Sequence, residues 1–276
     1  MIDLKRKEVD IMNSVKLSKL IRSAILKMVY NSGGSHIASA LSIVDIVTVL
    51  YNDILKFDPK IPKWEKRDRF ILSKGHACTP IYALLAQFEF FPIKDLESYG
   101  KDSSNLMNHI SHKVEGVEFS TGALGHGLPF GVGKSKAAKI LKEDWRTFVL
   151  LSDGELDEGS NWEAFMFAAH HKLNNLTAII DYNKLQSLDT VENTLNLEPL
   201  ASKFEAFGWD VSEVDGHNHE DLLKEFIKVH EFKPRVIIAH TTKGKGVGYM
   251  ENKVEWHYKT PNKEELEIAL NQLSLN

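Results

Sequence analysis

The sequence reads as an α/β chain, a mostly parallel sheet with helices on both faces. Three observations predict it. Short apolar runs at 148–151, 176–180, 209–214 and 236–239 alternate with helical stretches near 158–173, 197–207 and 219–231. Strands that alternate with helices pair in parallel and carry the helices on the two faces. The chain has 276 residues, 43% of them hydrophobic, enough to bury the core of one large domain. No repeat, low-complexity segment or linker divides it, so residues 1–276 are taken as a single domain.

The elements follow in order. In residues 15–30 the apolar positions Leu17, Leu20, Ile21, Ala24, Ile25 and Met28 keep the three-and-four spacing of an amphipathic helix, which stops at Asn31-Ser32-Gly33-Gly34. Ser42, with Asp45 three residues on, resembles a capping box and opens a second helix to about Leu55, closed by Pro59 and Pro62. Residues 69–73 read as a short strand leading into Lys74-Gly75-His76, and 79–88 return to helix. The polar stretch 95–120 reads as loop, and the alternating strands and helices come after it.

Composition narrows the function. A net charge of −4 with dispersed Lys and Arg gives no footprint for nucleic acid. The lone Cys78 rules out an intrachain disulfide framework, fits a reducing compartment and reads as a small core residue. The N-terminal MIDLKRKEVDIMN holds no apolar run of the ~7 to 15 residues a signal peptide needs, so a cytoplasmic location is expected.

The chemistry concentrates in LLSDGELDEGSNWEAFMFAAHHKLNNLTAIIDYNKL, residues 150–185. Asp153 follows one expected strand and Asn183 the next, 30 positions later (183 − 153), which brings both side chains to one edge of a parallel sheet. A carboxylate, an amide oxygen and a nearby main-chain carbonyl suit a small hard cation such as Mg²⁺. Gly154 lets the main chain approach a phosphate, and a helix beginning near Glu158 presents free N–H groups to it. Together these describe a metal-bridged diphosphate; the plainer alternative is that Asp153 and Asn183 are turn-formers after strands.

Ser152-Asp153-Gly154 followed by Asp181-Tyr182-Asn183 resembles the thiamine-diphosphate signature, Gly-Asp-Gly then Asn-Asn, with Ser152 and Tyr182 at positions that supply no metal ligand. Leu72-Ser-Lys-Gly-His76, Gly116-Val-Glu-Phe-Ser-Thr-Gly-Ala-Leu-Gly-His-Gly127, His240-Thr-Thr-Lys-Gly-Lys-Gly246 and Trp256-His257 stand in the order of the diphosphate-binding domain of transketolases. The resemblance runs from about residue 15 to 260 and implies the thiamine-diphosphate-binding fold. It also implies Asp153, Asn183 and the main-chain oxygen of Leu185 as ligands of Mg²⁺, or of Ca²⁺ or Mn²⁺, with Gly154 against the diphosphate and Gly122 and Leu124 against the cofactor rings. His76 and His257 resemble the histidines lining the diphosphate and the mouth, and His36 and His109 those facing substrate, with His112 a rival for His109. Glu158 and Glu163 would join a carboxylate network across an interface between subunits, although acids in a first helical turn also offset the helix dipole.

Other histidines, His170, His171, His217, His219, His230 and His240, read as surface or satisfied core residues, and no pair has zinc-ligand spacing. Lys243-Gly244-Lys245-Gly246 lacks the first Gly and the Ser or Thr of a P-loop. In the family a Glu that activates the cofactor belongs to a further domain, so the resemblance implies a separate C-terminal partner, a heterotetramer, and transfer of a two-carbon ketol group from a ketose to an aldose. Two other functions fit less well: the α chain of a 2-oxoacid dehydrogenase, and a non-catalytic paralogue that binds a partner.

Overall fold

Five parallel strands, β1 (Arg69–Leu72), β2 (Thr147–Ser152), β3 (Leu176–Tyr182), β4 (Asp210–Asp215) and β5 (Arg235–His240), form one sheet in the order β1-β2-β3-β5-β4. The computed structural model describes residues 11–275; the N-terminal stretch without a signal-peptide run falls mostly outside them. Alternate strand residues feed two separate cores. Phe70, Leu72, Phe148, Leu150, Ile179, Ile237 and Ala239 enter the larger one. Ile71, Val149, Leu151, Ala178, Ile180, Val236 and Ile238 enter the other. A period of two with both faces buried is what a sheet between two helical layers requires.

On the larger core lie α1 (Ile11–Ser32), α2 (Ile37–Ser42), α3 (Val44–Val49) continuing as a π turn at Leu50–Ile54, and α4 (Thr79–Gln87). The same layer holds α9 (His219–Ile227) and α10 (Lys263–Leu275), through Leu222, Phe226, Ala269 and Leu273. The opposite layer holds α5 (Gly127–Leu141), α6 (Gly159–His170), the short α7 (Val191–Thr194) and α8 (Leu200–Ala206).

Three differences from the sequence reading have physical causes. Helix α5 escapes periodicity because Gly127, Gly131 and Gly133 interrupt its apolar stripe. Helix α10 has no counterpart in that reading either, yet it closes over α1 and buries Ala269 fully. Ser42 is no cap: its hydroxyl donates to Asp181 Oδ1 at 2.6 Å, and Asp45 instead receives both Arg22 Nη atoms, at 2.9 and 2.6 Å. The expected single helix from 43 to 55 is accordingly α3 plus the π turn, preceded by α2.

Candidate active site

All strands run the same way, so the segments after β1, β2, β3 and β5 converge on one edge of the sheet. They deliver Lys74 and His76, Asp153 and Gly154, Asn183 and Leu185, and Lys243 to a cleft of about 220 Å³. Close main-chain approach shapes its wall: a Cβ on Gly75 would lie 2.4 Å from the carbonyl oxygen of Thr121, so only glycine fits there. Glu155, fully buried, ties three of these loops together by accepting from the Ser73 hydroxyl and from Gly125 N at 2.9 Å and Ser152 N at 3.4 Å.

At the floor, Asp153 Oδ1 accepts from Gly154 N at 2.7 Å and Oδ2 from Lys184 N at 2.6 Å. It is 1% exposed and forms no ion pair among the described residues. Burial, then the neighbouring Asp181, pushes its pKa up to about 7. For Asp181 burial acts in the same direction, but the Lys74 ammonium at 2.5 Å and the hydroxyls of Ser42 and Thr241 outweigh it and hold the carboxyl below its usual value. Asn183 Nδ2 donates to Asp181 Oδ2 at 3.0 Å, which turns Oδ1 the other way, where it accepts from Leu185 N at 3.1 Å with a lone pair to spare. Lys243 Nζ donates to the carbonyls of Leu185 and Gln186, each at 2.8 Å. Burial, then Lys74, lowers its pKa to about 8.

These groups fit a cation bound to a diphosphate. The under-neutralised Asp153 and the oriented Asn183 oxygen are hard oxygen donors with the Leu185 carbonyl beside them, although that carbonyl accepts from Lys243; Lys74 and Lys243 add positive charge at the floor while bonded to Asp181 and to main-chain carbonyls. Among the described residues no three His, Cys, Asp or Glu side chains form a metal cluster.

The wall is imidazole. His36 lies with its ring centroid 5.1 Å from those of His76 and His257 and 5.7 Å from that of His109. Burial lowers all four pKa values: His36 to about 4, with help from His109 and the two lysines; His257 to about 3, helped by Lys243; and His76 and His109 in the same direction. They are therefore neutral at pH 7 and can both give and take hydrogen bonds. Lys243 Nζ donates to His257 Nδ1 at 3.1 Å, which leaves the ring hydrogen on Nε2. His36 sits in the left-handed region at φ 66°, where a non-glycine residue is strained, and its N donates to His257 O at 2.8 Å.

Most residues singled out in the sequence meet here: His36, His76, His109, Gly122, Leu124, Asp153, Gly154, Asn183, Leu185 and His257 all line the cleft. His76 and His257 belong to single 3₁₀ turns, not open loop. His112 lies outside, exposed and paired with Ser120. Glu158 and Glu163 are also outside, exposed at the start of α6. The N–H groups expected from a helix near Glu158 are displaced too, because residues 154–157 form a 3₁₀ turn first and Gly154 N is taken by Asp153. His217, partly buried, and His219, buried, are both satisfied by Asp45, at 2.7 and 3.1 Å. Sequence reasoning misses Lys74, Lys243 and Glu155. Both lysines stand inside glycine-flanked motifs after strands, which is the available signal; Glu155 has none.

Residues 14–276 match the family model described as "Transketolase, thiamine diphosphate binding domain". The chain is 43% identical over 92% of its length to one subunit of the apulose-4-phosphate transketolase of Phocaeicola vulgatus, covering 91% of that protein. It is 37% identical over 87% of its length to the 6-deoxy-6-sulfo-D-fructose transketolase subunit SqwG of a Clostridium species, covering 88% of it. Among solved structures, transketolase from Campylobacter jejuni superposes with a TM-score of 0.91 at 31% identity, over 96% of this chain and 43% of that one.

Proposed function

Because the chain belongs to the transketolase family through its thiamine diphosphate-binding domain, we propose that it is the N-terminal half of a two-subunit transketolase. The supporting observation is the meeting of an oxygen-ligand floor and a neutral imidazole wall in one cleft. Asp153, the Asn183 oxygen and the Leu185 carbonyl would hold Mg²⁺, or Ca²⁺ or Mn²⁺ in its place, with Gly154, Lys243, His76 and His257 around the diphosphate and Gly122 and Leu124 against the rings. Thiamine diphosphate supplies the electron sink for a two-carbon carbanion.

The chain's residues then manage protons. In ketol transfer the C2–C3 bond of the ketose breaks with its electron pair left on the two-carbon fragment, and that pair forms the new bond to the aldehyde carbon of the acceptor. His36 and His109 take the proton from the donor's C3 hydroxyl and return one to the new hydroxyl of the product; both rings are neutral before the step and so have a nitrogen that can accept it. Glu158, just before α6, and Glu163, on it, are exposed and would face a carboxylate of the partner. The partner contributes the activating Glu and encloses the other end of the cofactor, in a heterotetramer. A cytoplasmic location fits the buried lone Cys78 and the absence, among the described residues, of a helix long and apolar enough to cross a membrane.

The test is product analysis on the assembled complex given a ketose phosphate and an aldose. The proposal requires an aldose shortened by two carbons and a ketose lengthened by two. Decarboxylation of 2-oxoacids without such products would favour the dehydrogenase reading, and assembly without any products the non-catalytic one.

A further inference from the structure

Tyr258 is the exposed end of the imidazole wall. Its ring centroid lies 4.7 Å from that of His257 and 5.7 Å from that of His36, and it lines the same cleft. Nothing in the chemistry above uses it. Depth in the cleft runs from Asp153, 1% exposed, through His257 at 9% to Tyr258 at 57%, so the ring stands at the rim.

The rim is held in place. Trp256 buries its side chain to 3% exposure beside it, Thr260 Oγ1 donates to the Gly34 carbonyl, and the bond from His36 N to His257 O joins the two segments. A ring on such a fixed segment is a preformed apolar surface, and in a binding cleft apolar walls select shape while a few polar groups fix orientation. The reaction needs only two carbons beside His36 and His109, on the wall. The remaining carbons of the substrate must extend toward the rim, where their C–H groups meet an aromatic face.

The geometry points to Tyr258 as a specificity-determining residue, whose ring packs against the sugar carbons beyond the transferred pair and favours four- and five-carbon acceptors over a two-carbon one. This inference rests on the ketol-transfer reading. The hydroxyl of Tyr258 makes no hydrogen bond among the described residues, so the ring is the part that matters.

The experiment uses the assembled complex with hydroxypyruvate as fixed donor and compares kcat/KM for D-erythrose with that for glycolaldehyde in the wild type, Tyr258→Ala and Tyr258→Phe. The ratio should fall roughly tenfold in Tyr258→Ala, the scale of one lost apolar contact in a pocket, and stay near the wild-type value in Tyr258→Phe. The dissociation constant for thiamine diphosphate should not move in either variant. An unchanged ratio in Tyr258→Ala overturns the inference. So does an equal loss on both acceptors accompanied by weaker cofactor binding, which would make the ring a support for His257. A wild type with no ketol transfer overturns the ketol-transfer reading and this inference with it, whereas an active wild type with a flat ratio overturns this inference alone.

Discussion

Asp153 is held by two main-chain N–H donors with no cationic partner in an ion pair among the described residues, and Asn183 is turned by Asp181 so that its oxygen, which accepts from Leu185 N, keeps a lone pair to spare. Removing either should abolish a metal ligand, so Asp153→Ala and Asn183→Ala in the assembled complex should weaken cofactor binding by at least the ~10 to 100-fold of losing a supporting group, while the circular dichroism spectrum is kept. Calorimetry showing unchanged affinity would contradict the assignment. His109 faces His36 across 5.7 Å while His112 points to Ser120, so His109→Ala should lower kcat/KM and leave cofactor affinity alone, and His112→Ala should do neither. A larger kinetic loss in His112→Ala would move the substrate site. The lowered pKa of His36, about 4 against 6.5, also has a sign: between those values the unfolded chain binds a proton that the folded chain refuses, so stability falls as pH drops from about 6.5 toward 4. In urea titrations, His36→Gln should lose less stability than the wild type between about pH 7 and pH 5; an equal loss would show that His36 titrates normally. At this scale the sequence is legible where a motif with an adjoining glycine follows a strand, as at Asp153 and His76. Glu155 is not legible, because its partners Ser73 and Gly125 are distant in sequence and only folding brings them together.

Elements are legible where the apolar period is clean and illegible where glycine breaks it. The four strands from β2 to β5 and helices α1, α4, α6 and α9 match their apolar patterns. Helix α5 does not, since glycine costs a helix about 1 kcal/mol per position and removes the stripe that reveals it. Its glycines serve packing: a Cβ on Gly131 would meet Val149 Cγ2 at 2.4 Å, so α5 lies against β2 only because that side chain is missing. Gly131→Ala should therefore destabilise by about 1 to 3 kcal/mol although alanine is the better helix former. A urea midpoint at or above the wild-type value would show that α5 has room to shift. Ser42 misleads for a related reason. Its spacing to Asp45 matches a cap, but both side chains are engaged by distant partners, Asp181 and Arg22, that a local pattern does not contain.

At the scale of the molecule, alternation of strand and helix is enough to foresee a parallel sheet between two helical layers, because each crossover leaves few other solutions. What the whole chain does depends on more than pattern: four neutral imidazoles, a hard oxygen floor and relatives named as subunits that match nearly end to end. The solved transketolase it resembles is more than twice as long, with this chain covering 43% of it. The central claim, that the cleft is one half of an active site, is proposed on the strength of relatives named as subunits. It is tested most directly by measuring ketol transfer by this chain alone, by its C-terminal partner alone and by their mixture, with light scattering for mass. Turnover confined to the mixture, in a particle of two copies of each chain, is the predicted result; substantial turnover by this chain alone would contradict it.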